Sequence, residues 1–395
     1  MHVIKLKKGK DKAARQRHPW IFSGAVLESD GNPGKGEVVR VIDHSGEFVA
    51  YGVFNGQSRV AVRLMEWEME NLPDDCWWRE RLRRAIEARR HLLESQQTDA
   101  LRLVFGEADF LPGLIVDKYA DFISIQVHAA GVELVKSIVV DELRNLLNPK
   151  GIYERSDANA RSHEGLPLTN GPLAGTDPPE WVEVKEHGIR YAVNIAAGQK
   201  SGFYCDQREN RLLTAHYAKD RKVLDCFCYS GGFSLNALAH GATAVVSVDS
   251  SALALDALKR NVEANGFDRR KHTVLQADVN KQLRAFADGG ERFDLIVLDP
   301  PKYAPSRSSL DKAARAYKDL NRRALLLMDR GGLLATFSCS AAMDMATFKQ
   351  VLAWAALDAG REIQFIFQFA QPEDHPIRAS FPEGEYLKGL LCRVM

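Results

Sequence analysis

The sequence lacks any long apolar run and any regular spacing of cysteines. No apolar stretch approaches the ~20 residues that a membrane-spanning helix needs, and the amino terminus has no signal-peptide core. The six cysteines form no C-x-x-C pair, which argues against a disulfide framework and against a zinc site. We therefore expect a cytoplasmic protein with reduced thiols, no membrane segment and no metal.

The sequence also lacks an excess of charge of one sign, and it lacks the dinucleotide-binding fingerprint. The 395 residues carry a formal net charge of +1, and their hydrophobic content of 45% is that of a globular protein. No G-x-G-x-x-G motif occurs, so a nucleotide site of the dehydrogenase type is not expected. A chain of this length predicts two or three domains.

The balanced net charge hides a basic amino-terminal segment. Residues 1–24 hold seven lysines and arginines against the single acid Asp11, and they lead into the aromatic sequence His18-Pro-Trp-Ile-Phe22. Such a basic cluster is a candidate phosphate-binding surface, although a solvated basic tail has the same composition. Its members are Lys5, Lys7, Lys8, Lys10, Lys12, Arg15 and Arg17.

Residues 1–70 have the pattern of a small β-rich domain. Three apolar runs between residues 37 and 64 are separated by turn signals that contain glycine. Together with the basic start and the aromatic segment at 18–22, this order of strands resembles the PUA domain, an RNA-binding pseudobarrel. The resemblance implies that the basic cluster and Trp20 bind RNA.

Two further patterns follow along the chain. Residues 71–193 combine helices and short strands in an α+β pattern, with a Gly- and Pro-rich loop at 161–180 and a hairpin centred on His187-Gly188. From residue 194 to 395 strands and helices alternate, which predicts a doubly wound, Rossmann-like parallel sheet with an antiparallel pair of strands at its edge. The predicted fold class is α/β, in three domains with boundaries at 1–70, 71–193 and 194–395.

The chemistry of the third domain centres on Asp299. This residue ends the apolar run 293–298, and Pro300-Pro301 prevents both a further ladder hydrogen bond and a helix start there. A carboxylate is thus held at the carboxyl end of a buried strand, where open α/β sheets bind ligands. A stiff loop without a function is the alternative.

Three other acids, Asp225, Asp249 and Asp278, end three successive predicted strands. Each of them alone is typical of a helix cap. Their order together with Asp299 resembles the class I S-adenosylmethionine methyltransferases. The cofactor of that family is a sulfonium cation without phosphates, so carboxylates suit its pocket.

The loop after Asp225 contains small residues at 230–232, which let backbone N–H groups approach a ligand at the start of a helix. Phe227 and Tyr229 stand where the methyltransferase loop usually has its first two glycines. The resemblance implies a set of cofactor-binding residues along the strand ends. They are Asp225, Phe227, Ser230, Gly231, Gly232, Asp249, Asp278 and Asp299.

Cys339 is the candidate nucleophile. It follows the next predicted strand, within Phe337-Ser-Cys-Ser340, and so is expected beside Asp299. C5 of cytosine becomes nucleophilic once a thiolate adds at C6, and cysteine is intrinsically nucleophilic. Asp299 would then hold the N3 or N4 edge of the ring. A buried apolar cysteine is the alternative. The candidate catalytic residues are Cys339, Asp299 and Lys302.

Four segments carry a closer resemblance that, with the PUA-like start, covers nearly the whole chain. They are the sequences at 198–210, 299–302, 337–340 and 383–389. Together they resemble the bacterial 23S rRNA cytosine-C5 methyltransferases. The resemblance implies S-adenosylmethionine as methyl donor, 23S rRNA (naked or in an assembling subunit) as partner, and a cytoplasmic enzyme that can be a homodimer. It also implies that Asp206, Gln207 and Arg208 border the cofactor or substrate.

Two other functions remain open at this point. A methyltransferase acting on an exocyclic amino group of guanine in RNA also fits the Asp-Pro-Pro motif, with Cys339 then a core residue. A non-catalytic RNA-binding assembly factor would retain the same fold. The sequence names neither the modified nucleotide nor the base that removes the C5 proton.

Overall fold

The computed structural model describes residues 1–157, 160–303 and 309–395. They form two compact units. Unit 1 contains residues 1–184, 193–205 and 373–384, and unit 2 contains residues 185–192, 206–372 and 385–395. None of the described helices has the length and apolar character needed to cross a membrane. The division into three domains stays a prediction.

Unit 1 begins with a six-stranded sheet. Its elements are β1 (Val3–Leu6), α1 (Lys12–Arg15), β2 (Trp20–Phe22), β3 (Val26–Asp30), β4 (Val38–Ile42), β5 (Phe48–Phe54) and β6 (Val60–Glu66). The strand order is β2-β6-β5-β4-β1-β3. Ile4, Val41 and Leu64 point into one buried apolar core, which explains the alternation of apolar residues along the strands. The β-rich start of the chain is confirmed.

A five-stranded sheet with helices packed on it completes most of unit 1. The elements are α2 (Asp75–Glu87), α3 (Arg90–Glu94), β7 (Ala100–Phe105), β8 (Leu114–Tyr119), β9 (Phe122–Val127), α4 (Ala130–Leu134), α5 (Lys136–Leu147), β10 (Gly151–Ser156), α6 (Ala160–His163) and β11 (Thr169–Gly175). The strand order is β11-β10-β9-β8-β7. Leu82 of α2 and Leu143 of α5 share a core with Leu103 and Ile125 of the sheet.

The predicted loop at 161–180 is wrong in part. Residues 160–163 are helical, and residues 169–175 form β11, which pairs antiparallel with β10. Pro172 lies opposite Tyr153 in this pair. Because β11 is the edge strand, its outer side needs no N–H donors, so a proline and glycines are tolerated there. Composition therefore indicated a loop where the sheet has an edge.

A hairpin follows at residues 182–193. Its strands, β12 (Val182–Glu186) and β13 (Ile189–Val193), form a two-stranded sheet. The turn residues His187 and Gly188 have φ values of 48° and 80°, the left-handed backbone of a type I′ turn. The predicted hairpin is confirmed.

Unit 2 is built on a seven-stranded sheet. The elements are α7 (Arg208–Ala215), β14 (Lys222–Cys226), α8 (Gly232–Ala239), β15 (Ala244–Asp249), α9 (Ala252–Ala264), β16 (His272–Gln276), α10 (Val279–Asp288), β17 (Leu295–Leu298), α11 (Leu310–Leu326), β18 (Leu333–Ser338), α12 (Met345–Asp358), β19 (Ile363–Phe369) and β20 (Lys388–Val394). The strand order is β16-β15-β14-β17-β18-β20-β19. The first five strands are parallel, and β20 runs antiparallel to both of its neighbours. The doubly wound sheet with an antiparallel edge is confirmed.

The central strands of this sheet are buried on both faces. Leu224 and Ile296 enter the core that contains residues of α10, α11 and α12, while Val223 and Val297 enter the core on the side of α8. Burial on both faces fixes the register of the strands, because a slip by one residue would exchange their faces. The residues that follow β14, β15, β17 and β18 therefore meet along one edge, which we call the strand-end rim.

Candidate active site

The loop after β14 has a left-handed backbone at three positions. Phe227, Tyr229 and Gly231 have φ values of 61°, 48° and 84°. Glycine favours such values, so the two aromatic residues adopt the conformation of the glycines that they replace. The end of β15 holds them there. The N–H of Phe227 donates to Val248 O at 2.9 Å, and the N–H of Tyr229 donates to Asp249 Oδ2 at 2.9 Å.

The last part of this loop is closely packed. A Cβ on Gly231 would lie 2.0 Å from Leu258 Cδ1, so a larger residue does not fit, and Gly232 then begins α8. Asn261 of α9 donates from Nδ2 to Ser230 O at 2.9 Å. Asn261 was not found from the sequence, because nothing in the helical pattern of α9 distinguishes it from a surface residue.

Asp249 ends β15 and anchors the same loop. Its Oδ2 accepts the N–H of Tyr229 and its Oδ1 accepts the N–H of Ser251, both at 2.9 Å. A carboxylate offers about four lone-pair positions, so both oxygens keep acceptor capacity. The side chain is half-buried at the strand-end rim. Asp249 can therefore accept hydrogen bonds from the hydroxyl groups of a ligand.

Asp225 lies deeper than Asp249. Its Oδ2 accepts the Ser234 N–H at 3.0 Å and the Ser234 hydroxyl at 2.6 Å. The Ser234 hydroxyl also lies 2.5 Å from Ser247 Oγ, which is 2.7 Å from His272 Nε2. Burial raises the pKa of Asp225 to about 7, although the bonds from Ser234 act in the opposite direction. Asp225 thus supports the start of α8 from inside, and its direct contact with a ligand stays a prediction.

Three other predicted site residues of unit 2 differ in exposure and in hydrogen-bond partners. Asp278 is exposed and caps α10, with its Oδ1 accepting the Lys281 N–H at 2.9 Å. Arg208 is buried and donates from Nε to Glu209 Oε1 at 3.1 Å. Lys302 is exposed. The cap role of Asp278 is the alternative that its position alone suggested, and its contact with a ligand stays a prediction.

Asp299 is half-buried and receives a buried polar chain. Gln207 Nε2 donates to Asp299 Oδ2 at 3.0 Å, and Asn210 Nδ2 donates to Gln207 Oε1 at 2.6 Å. Next to Gln207, Asp206 Oδ2 accepts the Tyr386 hydroxyl at 2.6 Å. The structure thus brings Gln207 and Asp299 together, although 92 positions separate them in the sequence.

Cys339 follows β18 and is half-buried, between two buried serines. Ser338 Oγ donates to the Tyr317 hydroxyl at 3.0 Å, and that hydroxyl lies 3.2 Å from Ser340 Oγ. Burial raises the pKa of Tyr317 to about 12, and the charges of Cys339 and Asp299 act in the same direction. Tyr317 therefore holds the backbone segment that contains Cys339 from both sides. It was missed from the sequence because it belongs to a helix with no motif.

The predicted RNA-binding cluster of unit 1 divides into two groups. Four members have a partner, and the other three have no ion pair among the described residues. The partnered residues are Lys5 with Glu28, Lys7 with Gly24 O, Arg15 with Asp11 and Asp43, and Arg17 with Glu68. The other three, Lys8, Lys10 and Lys12, are exposed. Their positive charge is therefore available to a polyanion without breaking an ion pair.

Aromatic side chains lie beside this cluster. The Trp20 indole donates from Nε1 to Glu107 Oε1 at 2.9 Å, and its ring centroid is 4.8 Å from that of Phe381. Phe22 is 53% exposed. Trp20, and not Phe22, is the aromatic residue predicted to bind RNA, but it is Phe22 that presents a ring to solvent.

Comparison with known families gives the class of the protein. A family model described as a PUA-like domain matches residues 4–67. A second, described as S-adenosylmethionine-dependent methyltransferase, matches residues 163–381, which is more than half of the chain. The fold and these matches define an S-adenosylmethionine-dependent methyltransferase that carries a PUA-like domain.

Curated relatives match almost the full length. Ribosomal RNA large subunit methyltransferase I from Klebsiella pneumoniae is 44% identical over 390 residues, covering 99% of this chain and 98% of the relative. The protein of the same name from Escherichia coli is 43% identical over 390 residues with the same coverage. The chain belongs to this family.

Solved structures share the fold. A chain described as a SAM-dependent methyltransferase from Streptococcus mutans has a TM-score of 0.86 at 22% identity, with 100% of both chains covered. Another methyltransferase chain, solved in complex with SAH, has a TM-score of 0.87 at 22% identity with the same coverage. At this identity both structures support the fold alone.

The residues around the strand-end rim fit S-adenosylmethionine. Asp249, half-buried at this rim, has acceptor capacity for hydroxyl groups. Carboxylates also suit a sulfonium cation. Which side chains contact the cofactor stays a prediction.

We predict that Asp249→Ala weakens S-adenosylmethionine binding by about 1.5–3 kcal/mol, the scale of lost hydrogen bonds to a charged group. Titration calorimetry on the folded variant measures the effect. Asp256→Ala is the matched control, because Asp256 is an exposed acid of α9 in the same unit. Unchanged affinity in folded Asp249→Ala would remove Asp249 from the cofactor site.

We predict that Asp225 makes stability depend on pH. Because the folded protein raises the pKa of this carboxyl to about 7, the folded state binds its proton more tightly than the unfolded state does. The contribution is therefore full at low pH and is lost as the pH rises towards about 7. Asp225→Asn keeps an acceptor for Ser234 but cannot ionise. The free energy of unfolding of wild type relative to the variant should decrease as the pH rises from about 4 to about 7. Parallel curves of free energy of unfolding against pH for the two proteins would contradict this role of Asp225.

Proposed function

We propose that this protein methylates C5 of a cytosine in 23S ribosomal RNA through a covalent bond between Cys339 and C6. The observation that carries the proposal is the setting of Cys339. Its half-buried thiol lies at the strand-end rim, next to serines bonded to Tyr317, and follows the strand that pairs with the one ending before Asp299. The names of the relatives support ribosomal RNA of the large subunit as the substrate.

Different residues of the chain bind the cofactor and orient Asp299 in this proposal. Asp249, Asp278 and the loop at 226–232 hold S-adenosylmethionine, with Asp225 supporting the loop from inside. When bound, S-adenosylmethionine supplies the electrophilic methyl group that C5 accepts. Asp206 and Arg208 border this pocket, and Gln207 orients Asp299 through its 3.0 Å hydrogen bond.

The covalent route solves the low nucleophilicity of C5. The Cys339 thiolate forms a bond to C6, and the electrons of the C5–C6 double bond make C5 nucleophilic. Asp299 hydrogen-bonds the N3 or N4 edge of the ring, and Lys302 is close enough in sequence to act on the same edge of the substrate. Once C5 carries the methyl group, a base takes the C5 proton, the bond to Cys339 breaks, and the double bond re-forms.

Unit 1 supplies the RNA-binding surface in this proposal. A groove of about 520 Å³ is lined by Lys10, His18, Trp20 and Phe22 among others. Lysines beside an exposed aromatic ring suit single-stranded RNA, whose phosphates contact the cations and whose bases stack on the ring. A homodimer stays a prediction.

We predict that RNA with 5-fluorocytosine at the target position traps the enzyme. Fluorine cannot leave C5 as a cation, so the thioether between Cys339 and C6 persists after methyl transfer. Wild-type protein with S-adenosylmethionine should give an RNA–protein band on a denaturing gel. Cys339→Ser should give no band and should lose methyl transfer by several orders of magnitude, as expected when a covalent nucleophile is removed.

The control for the trap is Cys76→Ser, because Cys76 is an exposed thiol in unit 1 and should not affect the band. A Cys339→Ala protein that methylates at close to the wild-type rate would refute the covalent mechanism. It would favour methylation of an exocyclic amino group instead.

We predict that each of the exposed lysines contacts phosphate. Replacing Lys8, Lys10 or Lys12 by glutamine should reduce the slope of log affinity against log salt by about 0.7–0.9. Fluorescence anisotropy with a 23S rRNA fragment at several salt concentrations gives the slope. Lys150→Gln is the matched control, since the Lys150 ammonium is already paired with Asp121 at 2.7 Å in unit 1. Equal slopes in all variants would show that the basic cluster is only solvated.

A further inference from the structure

Lys388 is a buried lysine next to the Cys339 segment. It starts β20, and in the antiparallel pairing of β18 with β20 it lies opposite Ser338, the residue before Cys339. Only 3% of Lys388 is exposed. Its ammonium donates to Ser340 O at 3.1 Å, so it reaches the backbone on the other side of Cys339.

Burying an ammonium group is costly unless a negative group compensates it. An ammonium has three N–H donors. Across the part of the chain that the structure describes, Lys388 donates one hydrogen bond and has no carboxylate oxygen within 4.0 Å. A carbonyl oxygen carries only a partial charge, so Ser340 does not neutralise this cation.

The charged and titratable groups around Lys388 and Cys339 come from several elements. They are Glu385 before β20, Asp344 before α12, Asp299 and Lys302 after β17, and Tyr317 of α11. Glu385 and Asp344 are exposed, so solvent screens their attraction for Lys388. Burial lowers the pKa of Lys388, and the charge of Lys302 acts in the same direction, whereas the charges of Glu385 and Asp344 act in the opposite direction.

The charge of Asp299 at this rim affects the ionisation of Cys339. Its negative charge and a Cys339 thiolate repel each other, which disfavours the nucleophilic form of the thiol. A cation that stays close to Cys339 offsets this repulsion. Lys388 is such a cation, and its position is fixed by strand pairing rather than by a flexible loop.

We propose that Lys388 is a positioning residue whose buried ammonium holds Cys339 as a thiolate beside Asp299. The Cys339 Sγ–H bond loses its proton to solvent, and the Lys388 ammonium keeps its three protons. A buried cation thereby gains a negative partner, and the thiol gains its reactive form at neutral pH. The proposal rests on the assignment of Cys339 as nucleophile, but the thiolate can be measured without RNA and without methyl transfer.

The test is the rate of alkylation of Cys339 by iodoacetamide as a function of pH, followed by mass spectrometry of the full-length protein. Lys388→Gln removes the charge and keeps a donor for Ser340 O. We expect its apparent thiol pKa to rise by about one unit, which is about a tenfold change in the thiolate equilibrium. The rate at pH 7 should fall by about threefold to tenfold, because less of the thiol is ionised. The higher intrinsic nucleophilicity of a more basic thiolate offsets part of this loss.

Three comparisons separate this effect from a structural one. Lys388→Arg keeps the positive charge and should keep the wild-type pH profile. Cys76, an exposed thiol in unit 1, is the internal reference and should react equally in every variant. Glu385→Gln removes an acid that faces Lys388 and should move the Cys339 profile in the opposite direction, which gives a second test if Lys388→Gln does not fold.

A Cys339 profile that is the same in wild type, Lys388→Gln and Glu385→Gln would overturn the proposal. The outcome is independent of the 5-fluorocytosine trap. A shifted profile without a trapped complex would reject the covalent methylation and leave the Lys388–Cys339 charge pair supported.

Discussion

The parallel pairing of four strands in unit 2 is the constraint on which the site depends. β14, β15, β17 and β18 are buried on both faces, so apolar packing fixes their register and their carboxyl ends meet along one rim. Asp249, Asp299 and Cys339 come from distant parts of the chain, and only this alignment brings them to the same edge of the sheet. A slip of one strand by one residue would turn its core residues to the wrong face, which protects the geometry of the rim.

The loop after β14 shows how local strain is maintained at the same rim. Phe227 and Tyr229 hold a left-handed backbone that costs free energy for residues with a side chain. Hydrogen bonds to Val248 O and Asp249 Oδ2 keep them in it. Asp249 therefore has two tasks, because it orders the loop and leaves acceptor capacity facing the rim. Strand β15 thus determines the shape of the loop that follows β14.

Buried polar groups organise the other end of the rim. Tyr317 bonds to the serines on both sides of Cys339, and Lys388 holds the carbonyl of one of them. These contacts fix the direction of the cysteine segment more firmly than a surface loop would allow. They also place an acid, a thiol and an ammonium in one partly desolvated region, where charges interact more strongly than in water.

The sequence by itself determined the α/β class, the order of the strand-ending acids and the candidate thiol, because periodicity and turn residues are local properties. It did not determine that 169–175 is an edge strand, since glycine and proline occur in edge strands as well as in loops. It also did not determine which of the strand-ending acids is buried, as Asp225 is, and which is an exposed helix cap, as Asp278 is. Tyr317 and Asn261 carry no local signal either, and the segment 383–389 gives no sign that the Lys388 ammonium is buried beside Cys339. The importance of these residues comes from strand register and from their burial, and only the tertiary structure decides both.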